Sequence, residues 1–295
     1  MRFHRVAAIV LRQYYLLRGS PARVLPLFAW VAVDIVLWGF ITRYLNAVTA
    51  SGFDFVPVLL GAVLLWDFFT RIMHGVSMAF LEDVWSHNFL NLFASPLSIR
   101  DYLAGLVVSS IATSSVGLLM MVVLASAFFG LSFFAYGLML MPFLLVLFLF
   151  GIALGILCSA IVLRFGPAAE WLVWPVPALL SPFAAVFYPV STLPHWMQQI
   201  SKLLPPSYVF EGMRAIIAGG ALRGSALLWS GGLAAFYILL ASWFFSRIHR
   251  HARAERTHPQ AQGHRAVSRY SQTKCAGAVA RDRGAAAAEL LLSQF

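Results

Sequence analysis

Three charged side chains stand well inside runs that are otherwise apolar enough to cross a bilayer: Asp34 in the first run, Asp67 and Arg71 in the second. Asp67 and Arg71 are four residues apart and share a helix face, which suits an ion pair. A charge in the hydrocarbon layer is costly and marks either a substrate or ion path or a structural pair. The spacing favours a pair for Asp67 and Arg71, with Arg71 near the inner membrane boundary where its stem can reach the headgroups. Asp34 has no evident partner in the sequence and is the better candidate for a functional charge. An embedded enzyme would gather a nucleophile and base, or paired acids, at one depth. Asp34, Asp67 and His74 are the only candidates in the first two runs, and they are expected at different depths. Neither a Gly-x-Ser-x-Gly nor a His-Glu-x-x-His pattern occurs. No metal site is expected either. Cys158 and Cys275 lie in unrelated segments, and His249, His251, His258 and His264 are too loosely spaced.

The elements that must hold these side chains are membrane helices. Hydrophobic residues make up 61% of the 295 and charged ones 11%, with a mean hydropathy of +0.81. A soluble domain carries about 25% charged residues. The expected fold is an all-α polytopic membrane protein with six spans, at about residues 24–45, 55–76, 103–129, 134–163, 171–188 and 226–248. The third is rich in Ser, Gly and Ala, which favour close helix packing. Before the first span, residues 2–19 read as an amphipathic interface helix. Phe3, Val6, Val10, Tyr14 and Leu17 share one face, and Arg5 and Arg12 point toward anionic lipid on the other. Residues 249–295 form a basic tail of low apolar periodicity, expected to be disordered.

Charge sets the orientation. With the N-terminus in the cytoplasm, the inner side collects Arg2, Arg5, Arg12, Arg18, Arg23, Arg71, Arg100, Arg164 and the nine basic residues after Phe245. The outer side keeps Arg43, Lys202, Arg214 and Arg223. This is the positive-inside asymmetry, and it places both termini in the cytoplasm and the chain in the inner membrane. The net charge of +10 therefore speaks of membrane topology, and no basic stripe with interleaved aromatics points to nucleic acid.

Two interruptions stand out. On the inner side, Glu82–Asp101 reads as a short amphipathic helix. Trp85, Phe89, Leu90, Leu92 and Phe93 lie on one side, Asp83 accepts hydrogen bonds at the start, and Ser95-Pro96 ends it. Such a helix lies flat on the bilayer or docks in a partner's groove. On the outer side, Pro189–Gly220 carries Pro194, Trp196 and Pro205-Pro206, then a short helix with Glu211 and Arg214 three apart. Broken half-helices of this kind occur at membrane depth where protein or a cavity surrounds them.

In these two interruptions the chain resembles the ABC-2 type transporter permeases, the membrane-spanning subunits of ATP-binding-cassette exporters, over residues 1–248. The family's outer re-entrant hairpin runs Pro, Leu-Pro-x-Trp, Pro, Tyr and Glu-x-x-Arg. It is matched by Pro189, Leu193-Pro194-His195-Trp196, Pro206, Tyr208 and Glu211-Gly212-Met213-Arg214. The inner stretch resembles the family's cytoplasmic coupling helix, with Glu82, Trp85, Phe89 and Pro96 as partner-binding residues, although Trp85 and Asn88 stand where many members are more charged. The basic tail has no counterpart. The resemblance implies a homodimer in contact with membrane lipids. It implies a cytoplasmic ATPase subunit that holds ATP and Mg, and export of an amphipathic, lipid-linked or glycan substrate. No GxxxxGK[ST] loop surrounds Lys202 or Lys274, so the chain has no phosphate cradle of its own and no cofactor is expected in it. The alternatives are a membrane-embedded enzyme and a non-transporting scaffold or channel.

Overall fold

Long apolar runs become helices because lipid offers the backbone no hydrogen-bonding partner. The computed structural model describes residues 3–49, 56–86, 97–131, 140–220 and 224–250, apart from the side chains of Pro26, Leu27 and Pro167. Among them the architecture is all-helical, without strands. The chain divides into two units, Met1–Ser246 and Arg247–Phe295, and of the second only residues 247–250 are described.

Helix α1 is Phe3–Arg18 and α2 is Pro21–Val48. A π-helical turn at Val56–Leu60 opens α3, Gly61–Trp85. Then come α4, Ile99–Phe129, and α5, Leu140–Phe165. Two short helices follow, α6, Glu170–Val173, and α7, Val176–Ala184. A hairpin of α8, His195–Ser201, and α9, Pro205–Ile217, leads to α10, Gly224–Arg250. Among the described residues five helices are long and apolar enough to cross a membrane: α2, Val56–Trp85, α4, α5 and α10.

The expected fifth span, residues 171–188, is not one continuous helix. Pro175 caps α7, Pro182 lies within it, and Ala185 takes a left-handed backbone with φ 51° and ψ 48°. A proline removes a backbone donor and crowds the preceding turn, which accounts for the break. Tyr188 lies beyond it, and its hydroxyl donates to Pro182 O at 2.9 Å. Of the fourth expected span, residues 134–139 lie outside the described residues. The same holds for 87–96, which include Phe89 and Pro96, and for the tail after Arg250.

Helix α3 is the hub. Its neighbour α5 presents Gly151 and Gly155 one turn apart. A Cβ at Gly155 would fall 2.9 Å from Val76 Cβ and 3.0 Å from Met73 O. Bare backbone there lets the two helices touch, as small residues do between membrane helices. On another side α4 approaches α3 so closely that Ser110 Oγ donates to Ile72 O at 2.9 Å. One apolar core joins α3, α5, α7, α9 and α10 around Phe69, Phe150 and Phe210. A second joins α2, the π-turn and α4 around Val31, Leu60 and Met121.

Candidate functional site

Three groups of charged residues punctuate this apolar bundle. The first lies at the end where α1 packs. Asp83, expected at the start of a loop helix, sits in the last turn of α3 with its side chain only 2% exposed. Arg12 of α1 grips it through both guanidinium nitrogens, Nη1 at 2.9 Å and Nη2 also in hydrogen-bonding contact. Tyr102 of α4 donates its hydroxyl to the same carboxylate at 2.6 Å. The bond to Asp83 holds the Arg12 guanidinium above its ordinary pKa, against the effect of burial. Arg5 pairs with Asp101 at 3.7 Å, and Arg23, just inside α2, pairs with Glu82.

The arginines of α1 therefore turn into the protein rather than toward lipid. The sequence periodicity misassigns the face because their acids lie far along the chain, Asp83 being 71 residues from Arg12. The packed face carries Ile9 and Gln13, both buried, while Phe3 and Tyr14 are exposed. Gly105 of α4 receives it: a Cβ there would fall 2.5 Å from Ile9 Cβ. The stretch expected as one element from Glu82 to Asp101 is thus shared out. Residues 82–85 end α3, and Ile99–Asp101 begin α4, capped by Ser98 Oγ on Asp101 N at 3.1 Å. Trp85 is 59% exposed at this end.

The second group is the hairpin. Arg214 donates to the carbonyls of Ala185, at 2.9 Å, and Val186, at 3.1 Å. These are backbone acceptors freed where α7 breaks, and a buried carbonyl without a donor is expensive. Glu211 accepts from Val190 N at 2.6 Å and from Arg214 at 3.2 Å. Burial lowers the Arg214 pKa from its ordinary value, and Glu211 opposes this. Ser207 donates to Ser201 O, Tyr208 to Lys202 O and Gln198 to Leu193 O. The Glu-x-x-Arg motif is in this chain a backbone clasp. Pro194 caps α8, and Trp196, 61% exposed, meets Phe183 edge to face.

The third group surrounds a cavity of about 530 Å³ halfway along the bundle. Asp67 and Arg71 pair as the spacing foretold, Nε to Oδ2 at 2.6 Å. Arg71 stands near the middle of the helix Val56–Trp85, its stem against Gly117 of α4. Asp34 of α2 lines the same cavity as Asp67 and Arg71. Asp34, Asp67 and His74 thus line one cavity, while Asp67 and His74 stay two helical turns, roughly 10 Å, apart along α3. Trp30, Thr70, Met78, Thr113, Ser114 and Trp174 complete most of the wall. Thr70 Oγ1 and His74 Nε2 are buried without a hydrogen-bond partner among the described residues, and the His74 ring lies 5.0 Å from that of Trp174. Reading α3 at helical period finds this wall: residues 67, 70, 71 and 74 form one polar stripe, and Met78 continues it by a turn.

An all-helical bundle of this kind, with five apolar helices and charges held at its ends and middle, is a multi-pass membrane protein. The chain belongs to the ABC-2 type transporters, whose family model matches residues 8–218. A search of curated proteins found no match. The family is a membrane transport domain without an ATPase site of its own.

Proposed function

We propose that this chain is the permease subunit of an ABC exporter. It pairs with a second copy of itself and with a cytoplasmic ATPase subunit that holds ATP and Mg, and it moves an amphipathic, lipid-linked or glycan substrate out across the inner membrane. The observation that carries this reading is the family match, which takes in α1 from residue 8 onward, the residues flanking 87–96 and the whole hairpin. The clasp at the α1 end supports it mechanically. Arg12–Asp83 and Arg5–Asp101 tie α1 to α3 and α4, the two helices on either side of residues 87–96. A push on that segment is then delivered to α1, α3 and α4 together. Six crossings follow if α6 and α7 together serve as the fifth, with the hairpin on the outer side. A single cysteine at Ser191 should then label from outside, and one at Ser86 should not.

The deciding experiment concerns Trp85 and Phe89 as anchors on the ATPase. Truncating either to Ala should cost ~2 kcal/mol of docking, about thirtyfold in affinity, since aromatic anchors dominate interface energy. ATPase co-purification and ATP-dependent transport should fall together at matched expression. Intact co-purification and transport in the double variant Trp85→Ala, Phe89→Ala would overturn the reading.

A further inference from the structure

The mid-bundle cavity has an unbalanced charge. Asp67 and Arg71 cancel each other through their 2.6 Å bond. Asp34 makes no hydrogen bond or ion pair among the described residues, so one carboxylate is left over in the wall. A carboxylate within a membrane bundle needs a partner of opposite charge, and the arginine that lines the cavity with it, Arg71, is bonded to Asp67. Trp30 precedes Asp34 by one helical turn, on the same face of α2, and also lines the cavity. Across the space the Trp174 ring lies against His74. Trp30 and Trp174 are 63% and 54% exposed, so these two indoles mark the open side. A cavity of about 530 Å³ lies within the ~300–1,000 Å³ range of small-molecule sites.

We infer that this cavity binds an amphipathic organic cation, its positive centre between the Asp34 carboxylate and the face of the Trp30 indole and its apolar body along the largely carbon wall toward Trp174. The elements of recognition are charge neutralisation in a low dielectric and attraction of a cation to an aromatic face. An anion meets the surplus carboxylate and finds Arg71 already engaged. A neutral ligand leaves Asp34 uncompensated. The inference rests on the permease reading for its biological sense, since it names the class of substrate carried, but binding itself requires neither ATP nor the ATPase.

The test uses the purified full chain in lipid nanodiscs and two probes of nearly the same shape and opposite charge, tetraphenylphosphonium and tetraphenylborate. Saturable binding is measured by equilibrium dialysis above that of protein-free nanodiscs. The expected result is saturable binding of the phosphonium and none of the borate. Asp34→Asn should weaken the phosphonium about thirtyfold, as loss of a desolvated ion pair does. Asp34→Glu should largely retain it, and Trp30→Leu should weaken it about fivefold. Equal binding of the two probes, absence of saturable phosphonium binding, or unchanged affinity in Asp34→Asn would overturn the inference. If Asp34→Asn fails to assemble, the discrimination between probes by the natural chain and the Trp30→Leu titration still decide it. Phosphonium binding without ATP-dependent transport in the presence of the ATPase would sink the permease reading alone. Transport of another substrate class without phosphonium binding would sink this inference alone.

Discussion

Two clusters of charge in this molecule use the same residue types to different ends. At the α1 end, Arg5, Arg12 and Arg23 each meet an acid, and Asp83 takes two partners at once. Halfway along the bundle, one of two acids holds the single arginine of the cavity wall, and a threonine hydroxyl and an imidazole nitrogen have no partner among the described residues. The first is complete, and its completeness is its purpose: it fixes a helix that has no span of its own to hold it. The second is incomplete beside an open cavity. Because buried polar groups are nearly always satisfied, incompleteness there points to something that comes and goes.

The largest effect should come from breaking the complete cluster. Asp83→Asn removes the charge that Arg12 grips and weakens the bond from Tyr102. Losing one partner of a buried pair costs about 3 kcal/mol or more. Unfolding by denaturing detergent should report that loss, and Arg12→Gln in the same chain should recover part of it because the orphaned cation is gone. Additive losses in the double variant would show that Arg12 and Asp83 are merely adjacent.

The two clusters also differ in how far the sequence reveals them. Long apolar runs gave the helices α2 to α5 and α10, since length and hydropathy alone decide what can cross. Asp67 and Arg71 were legible as a pair because their relation is local, four residues on one helix. The Arg12–Asp83 clasp was not, since it joins helices through space, and the amphipathic pattern of α1 pointed its arginines the wrong way. The break in the fifth run was written in Pro175, Pro177 and Pro182, whose effect on a helix is local. That Glu211 and Arg214 serve the carbonyls and amide around that break was not legible, because their partners are backbone groups some 21 to 29 residues away. The cavity was half legible. The polar stripe of α3 lies in the sequence, but that Asp34 comes to the same cavity depends on how α2 and α3 pass each other.

A second, smaller effect belongs to the incomplete cluster. Arg71→Gln leaves Asp67 and Asp34 together without a cation and should cost ~2 kcal/mol. Asp67→Asn with Arg71→Gln should restore much of it, and the coupling in this cycle measures the pair directly. A neutral outcome for Arg71→Gln would mean that water entering the cavity already screens these charges, and the contrast between the two clusters would weaken.

The smallest effect should be the most informative. Asp34→Asn is the same chemical change as Asp83→Asn, yet it should alter stability by no more than about 0.5 kcal/mol, or raise it. At Asp83 the substitution orphans an arginine. At Asp34 it orphans nothing among the described residues, because none of them donates to that carboxylate, and it relieves repulsion from Asp67. Asparagine keeps the shape and removes only the charge, so stability and ligand binding are read separately. Unfolding in the same detergent titration, run beside Asp83→Asn, makes the comparison direct. A loss at Asp34 as large as that at Asp83 would mean that the carboxylate is held by the fold, and the mid-bundle cluster would then be a second structural clasp. An unchanged or raised midpoint, with the phosphonium affinity reduced, would mean that the chain keeps a charge there which its own folding does not use.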